Sequence, residues 1–324
     1  MDKIKKEEHY IFTEFSFELG IAIPHMNYLI QKGGKDIVTR SFPDNECLYF
    51  WSKEHKADLK QIADGEYEGQ YGLHVLVDDK LCQLDNLLHG YYYPATGLKY
   101  GDYYELECEI ENVIFPDFKS HFSKLAKDNG MSFDKPLIVI NNKSVVEWGI
   151  KDKVQNRIEL EDIGLVYELY KDSHQIIYLR PHNNMKNKGY VVDCNINIEW
   201  NDKEFIKENY PNIIIDEELM DNYPDLGFNE IQCMVHSLSD MHISVAGGNA
   251  VIASYFGGTN IIVGDAMQNG HMIRMVWATN SHLKNISGSK IIGVHDHQEF
   301  SKVIKKIKEE EEICAGHFAK KDEK

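Results

Sequence analysis

The run from His242 to Gly264, HISVAGGNAVIASYFGGTNIIVG, concentrates the residue types that can approach a ligand through the backbone. It reads as a strand, a glycine turn at Gly247-Gly248, a short helix over Ala250 to Phe256, a second glycine turn and another strand. Asn249 stands where a helix N-cap would, because its side-chain oxygen can accept a first-turn backbone N–H. Two readings are open. Missing side chains let an anion reach the backbone, and the unpaired N–H groups at a helix start suit a diphosphate. Alternatively, Gly247 and Gly248 only supply positive φ for a tight corner. Gly257 and Gly258 follow the last helical turn, where glycine ends helices, and are read as a stop.

A glycine turn of this kind matters only if a sheet holds it at a strand's carboxyl end, where α/β folds place their ligands. Apolar runs at Leu137 to Asn141, Gln175 to Leu179, Asn212 to Ile215, His242 to Ala246, Asn260 to Val263 and Lys290 to Val294 read as strands. They alternate with helical stretches at Glu161 to Tyr170, Asp202 to Asn209, Phe228 to Ser237, Ala250 to Phe256 and Gln298 to Glu310. Continuous runs such as Ile138-Val139-Ile140 belong to strands covered on both faces, so the pattern predicts a doubly wound parallel sheet.

The first half is less regular. Ile37-Val38-Thr39, Cys47 to Trp51 and Leu73 to Val77 read as strands, with helices at Ile23 to Gln31 and His55 to Ala63. Tyr104 to Asn112 alternates four glutamates with Leu106, Cys108 and Ile110, the pattern of a half-buried strand with a solvated face. The Gly130 to Pro136 stretch has linker composition, which sets an expected boundary between an α/β domain over 1–134 and a second over 135–324.

Composition excludes several classes. The net charge is -17, and no long basic run occurs outside the C-terminal tail, so neither nucleic acid nor an anionic membrane is an expected partner. The six cysteines have no close pair, which argues against a zinc knuckle or a disulfide framework. No apolar run is long enough to span a membrane and no targeting segment is recognisable, so the expectation is a cytoplasmic protein. GGNAV lacks the third glycine of a dinucleotide fingerprint and the Gly-Lys-Ser/Thr of a phosphate loop. His295-Asp296-His297 reads as a polar turn, Asp78-Asp79 and Asp193 form no D-x-D, and no metal is expected.

The late run SVAGGNAVIASYFGGTNIIVG, with the earlier IVINNK and IIYLRP, resembles the donor-binding domain of the GT-B glycosyltransferases. TEFSFEL followed by IPHMNYLI is similar to the opening of their acceptor domain. The resemblance implies two Rossmann-like domains facing across a cleft. It also implies transfer of a sugar from a nucleoside-diphosphate sugar to a hydroxyl of a glycan or other acceptor, with no cofactor besides that donor. Retaining members often carry paired glutamates around this turn. No Asp or Glu occurs between Asp240 and Asp265, so an inverting, metal-independent transferase fits better. A noncatalytic nucleotide-binding protein and a sugar-nucleotide epimerase are the alternatives.

For such a reaction the leaving diphosphate needs cations and backbone donors. The expected donor-site residues are Asn142 and Lys143 after the first strand of the second half, Arg180 before Pro181, and Gly247, Gly248 and Asn249. Arg180 could equally pair with a carboxylate in so acidic a chain. An inverting transfer also needs a base for the acceptor proton. Glu14 comes first, then Glu18, His25 and Asp79, all expected near strand ends or helix starts of the first half. His25 reads as readily as a capping or partly buried polar residue. The tyrosines 91–93, 100 and 103–104 could form an acceptor platform or simply pack.

Overall fold

A computed structural model of the chain describes residues 7–12, 15, 18–33, 37–58, 60–61, 74–77, 80–83, 90–92, 114–146, 157–181, 196–197, 200–264, 287–294 and 296–319. The expected strand at Tyr104 to Asn112 lies outside these residues.

The described chain begins with β1 (Glu7–Phe12), a π-helical turn at Glu18–Ala22, α1 (Ile23–Gly33) and β2 (Ile37–Arg40). A 3-10 helix at Pro43–Tyr49 leads to β3 (His55–Lys56). Next come β4 (Lys60–Gln61), β5 (His74–Val77) and β6 (Lys80–Gln83), paired antiparallel in the order β4-β5-β6, and then β7 (Gly90–Tyr92). β1, β2 and β3 are parallel neighbours, and β7 closes the other side of β1 antiparallel.

Two sequence expectations fail here for local reasons. Cys47 to Trp51 is not a strand: Pro43 sits at the start of a 3-10 helix with Asp44 and Asn45 behind it, and Pro fixes the φ that a helical first turn needs. The described residues of the stretch read as a helix over His55 to Ala63 are not helical: His55–Lys56 and Lys60–Gln61 are strands, and tertiary bonds hold His55 and Asp58. His55 bonds Thr39 Oγ1 and Ser41 Oγ through its two ring nitrogens at 2.8 and 2.9 Å, and Arg40 grips Asp58 in bidentate fashion at 2.8 and 2.6 Å.

The later part follows the pattern closely. α2 (Phe118–Asp128) is capped by Asp117, which accepts Ser120 N–H at 3.0 Å. β8 (Leu137–Asn141), β9 (Val145–Val146), α3 (Leu160–Tyr170), β10 (Gln175–Leu179), β11 (Ile196–Asn197) and α4 (Asp202–Asn209) follow. After β12 (Ile213–Ile215) come α5 (Asp216–Asn222), α6 (Phe228–Ser237), β13 (Ser239–Val245) and α7 (Gly248–Ser254). β14 (Thr259–Val263), β15 (Lys290–Val294) and α8 (His297–Ala319) end the described chain. The short helix α5 had no sequence expectation.

Six strands form one parallel sheet in the order β12-β10-β8-β13-β14-β15. Counted along the chain within this sheet, that is the 3-2-1-4-5-6 order of doubly wound folds, with winding reversing between β8 and β13. Side-chain alternation sends Val139, Ile177 and Leu179 to one core and Ile138, Ile140, Ile176 and Tyr178 to another, so both faces are buried. The first of these cores also contains Leu19, Ile23, Met26, Leu48 and Tyr49 from the beginning of the chain, packed with Phe118, Phe122, Phe228 and Ile231. The protein is thus a mixed α/β structure with parallel sheets.

Candidate functional site

The reversal point of the large sheet brings together the segments after β8 and after β13. Asn249 Nδ2 donates to the Asn142 carbonyl at 3.2 Å, tying one segment to the other. A methyl group on Gly247 would lie 3.6 Å from Lys143 Nζ, which places the ammonium over the glycine turn. Gly247 has φ 124° and ψ -152°, a conformation that side-chain-bearing residues rarely adopt, so any side chain there would strain the turn. Gly248 differs: its φ is not in the left-handed region, and a methyl there would fall 2.6 Å from Phe15 Cδ1. Asn249 does not cap α7. The helix starts at Gly248, so Asn249 is already inside its first turn and spends its amide on Asn142.

Asn142 is the frame of this site. Its Nδ2 donates to Ile158 O at 2.9 Å and Tyr178 Oη at 3.0 Å, and its Oδ1 accepts from the N–H groups of Lys143 and Ile158, both at 2.9 Å. A fully engaged amide sets the loop's shape and leaves ligand contact to its neighbours. Two of those neighbours were not foreseen. Ser144 Oγ and Asn141 Oδ1 are buried at the end of β8, and neither has a hydrogen-bond partner among the described residues. Their signal in the sequence was the polar run Asn-Asn-Lys-Ser directly after an isoleucine-rich strand.

Arg180 stands one strand away, and its guanidinium is occupied. Nε donates to Asp202 Oδ2 at 2.6 Å, Nη2 bonds Asp202 Oδ1 and reaches Trp200 O at 3.3 Å, and Asp202 is fully buried. Tyr178 Oη also donates to Asp202, and burial pushes the Tyr178 hydroxyl well up. Beside this pair Lys203 bridges Asp216 and Glu217, both at 2.6 Å. Burial pushes Asp216 up to about 6 despite Lys203. The carboxylate-pairing reading of Arg180 is therefore the arrangement in the structure.

Of the expected bases, Glu14 and Asp79 lie outside the described residues. Glu18 is 3% exposed; its Oε1 accepts from Tyr49 Oη at 2.6 Å and its Oε2 from Asn45 Nδ2 at 2.7 Å. His25 is 7% exposed on α1 and stacks on Tyr28 with ring centroids 6.2 Å apart. The π-helical turn that carries Glu18 packs against α7, and just beyond that helix Tyr255 Oη donates to Leu19 O at 2.6 Å. Backbone, but not side chains, is described for Tyr91 and Tyr92, and the other tyrosines of the cluster lie outside.

Among the described residues, no group of three or more His, Cys, Asp or Glu side chains is arranged to hold a metal ion. Nor is any described helix long and apolar enough to cross a membrane. No family model matches the chain, and no curated protein matches it in sequence. Among solved structures it is similar to a variant of the wall teichoic acid polymerase TagF at 10% identity, over 94% of this chain and 80% of that one, with a TM-score of 0.35. A likeness at that level carries no argument about activity.

Proposed function

We propose that the protein is a GT-B-type glycosyltransferase that binds a nucleoside-diphosphate sugar at the carboxyl ends of β8 and β13 and transfers the sugar to a hydroxyl. The observation that carries this reading is the coincidence of three features at one place. The winding of a 3-2-1-4-5-6 sheet reverses there, the glycine turn at Gly247 leaves the backbone bare, and the Lys143 ammonium stands over that turn. A diphosphate is the ligand that uses all three, since a cation and exposed backbone N–H groups meet its charge as the sugar leaves. Ser144 Oγ adds a donor within the same loop.

In the proposed reaction the acceptor oxygen forms a bond to the anomeric carbon as the bond to the diphosphate breaks, and the acceptor proton passes to a carboxylate or imidazole. Glu14 is placed first for that role, with Glu18, His25 and Asp79 behind it. The engaged oxygens of Glu18 weigh against it. Metal independence, inversion, the division into an acceptor side over 1–134 and a donor side over 135–324, and a cytoplasmic location belong to the same proposal.

A second reading, nucleotide binding without transfer, is favoured by one observation: the Arg180 fork that would serve a leaving diphosphate is already held by Asp202. The experiment that separates the two incubates the protein with a panel of nucleoside-diphosphate sugars and hydroxyl acceptors in the presence of chelator. Release of free nucleoside diphosphate with a glycosylated product supports the transferase. Binding without release supports the second reading.

A further inference from the structure

A continuous chain of buried polar side chains runs from Glu18 to the large parallel sheet. Asn45 Nδ2 donates to Glu18 Oε2 at 2.7 Å, and Asn229 Nδ2 donates to Asn45 Oδ1 at 2.7 Å. Gln232 Nε2 donates to Asn229 Oδ1, and Asn141 Nδ2 donates to Gln232 Oε1 at 3.2 Å. Asn141 Nδ2 also lies 3.3 Å from His236 Nε2, and His236 Nδ1 lies 3.1 Å from His242 Nδ1. Every member is buried, and the four amides all point their NH2 groups toward Glu18.

That common direction has a cause. A carboxylate only accepts hydrogen bonds, so Asn45 must offer Glu18 its NH2 group and keep its carbonyl for Asn229. The same choice is forced on each amide in turn. At the far end Asn141 spends its NH2 on both Gln232 and His236, and its Oδ1 has nothing left to accept, which accounts for the unpartnered oxygen found there. His236 must accept at Nε2, so a neutral ring carries its proton on Nδ1 and donates to His242 Nδ1, leaving the His242 proton on Nε2. Burial keeps both rings neutral, pulling His236 well down and His242 to about 3. Two atoms at the far end, Asn141 Oδ1 and His242 Nε2, have no hydrogen-bond partner among the described residues, and a buried polar network left open in this way costs more than apolar packing would.

We infer that Glu18 is a positioning residue whose carboxylate sets the polarity of this relay, so that its presence in the first part of the chain is read at Asn141 and His236 beneath the ligand end of β8. The relay makes the turn at Glu18–Ala22, the 3-10 helix at Pro43–Tyr49, α6 and the end of β8 one directionally coupled unit. It stands whether or not the site binds a nucleoside diphosphate.

The test is ligand-free. The imidazole 15N signals of the full-length protein report which ring nitrogen carries the proton, and the wild type is expected to show His236 as Nδ1–H and His242 as Nε2–H. Glu18→Met removes the carboxylate, and Asn229→Leu cuts the relay in its middle. Both are expected to populate the Nε2–H form of His236. Asp44→Asn, which touches Asn229 only at its backbone N–H, is expected to leave the tautomer unchanged. A wild-type His236 carrying its proton on Nε2, or folded Glu18→Met and Asn229→Leu proteins with His236 wholly in the Nδ1–H form, would overturn the relay. If neither variant folds, the wild-type tautomers decide alone.

Discussion

Asp44 caps a helix that begins far along the chain: its Oδ2 accepts the Asn229 N–H at 2.9 Å across a sequence separation of 185. The next residue, Asn45, holds the Asn229 side chain. A Pro-Asp-Asn turn thereby fixes α6 at its first turn, where four backbone N–H groups would otherwise lack partners.

This contact makes stability depend on pH. Burial pushes the Asp44 carboxyl from 3.8 up to about 7, against the downward pull of the Asn229 and Phe228 N–H groups. The folded protein then holds its proton more tightly than the unfolded chain, so Asp44 favours folding most below about pH 4 and that contribution is lost as pH rises toward about 7. Asp44→Asn keeps an amide oxygen that can cap but does not titrate. Denaturant melts of both proteins at several pH values are expected to show the wild type losing stability relative to the variant between those limits. A difference that does not vary with pH would count against the raised carboxyl.

Gly247→Ala is expected to cost about 1–3 kcal/mol, because φ 124° with ψ -152° is a region that side chains avoid. Gly248→Ala acts differently, through a clash with the Phe15 ring rather than through backbone strain. Shrinking Phe15 to leucine in the same protein should recover part of the loss for Gly248→Ala and none for Gly247→Ala. Equal rescue of both would show that the two glycines serve the same purpose.

Arg180→Ala leaves Asp202 buried without its cation. Breaking a buried pair costs about 3–5 kcal/mol, so this variant is expected to lose much of the protein's stability under any condition. The double change Arg180→Met with Asp202→Leu should recover most of it. An Arg180→Ala protein as stable as wild type would mean that the guanidinium is available for a ligand after all.

His297 joins α8 to α3, with Nδ1 2.5 Å from Asp162 Oδ1 and Nε2 3.1 Å from Glu161 Oε1. Acceptors at both ring nitrogens call for an imidazolium, and the bond to Asp162 raises the His297 pKa above 6.5. A raised histidine stabilises the fold below its unfolded pKa and ceases to do so as pH rises through the folded value. Wild type is therefore expected to lose stability relative to His297→Gln on the alkaline side of neutrality, read from melting temperatures across pH 6 to 9 as a rough window around the ordinary histidine value.

The parallel sheet was legible because continuous runs such as Ile138-Val139-Ile140 and helices such as Phe228–Ser237 announce themselves by length and period. The turn at Gly247 was legible because consecutive glycines at a strand end have few uses. Partners distant in sequence were not legible. Nothing near Arg180 names Asp202 as its counter-ion, and nothing near Glu18 names Asn45 and Tyr49. The segment around His55 departs from its helical spacing because bonds from His55 to Thr39 and Ser41, and from Arg40 to Asp58, override it. Polar residues inside a helix such as Asn229 and Gln232 gave no hint that they would face a buried amide relay.

The central claim, a nucleoside diphosphate at the carboxyl ends of β8 and β13, is tested most directly by calorimetric titration of uridine, guanosine, cytidine and adenosine diphosphates in the presence of chelator. The account predicts that at least one binds the wild-type protein without metal and that Lys143→Ala weakens it by about 10-fold or more, the scale of one lost charge-assisted hydrogen bond. Absence of binding by all four, or undiminished binding by a folded Lys143→Ala protein, would contradict it.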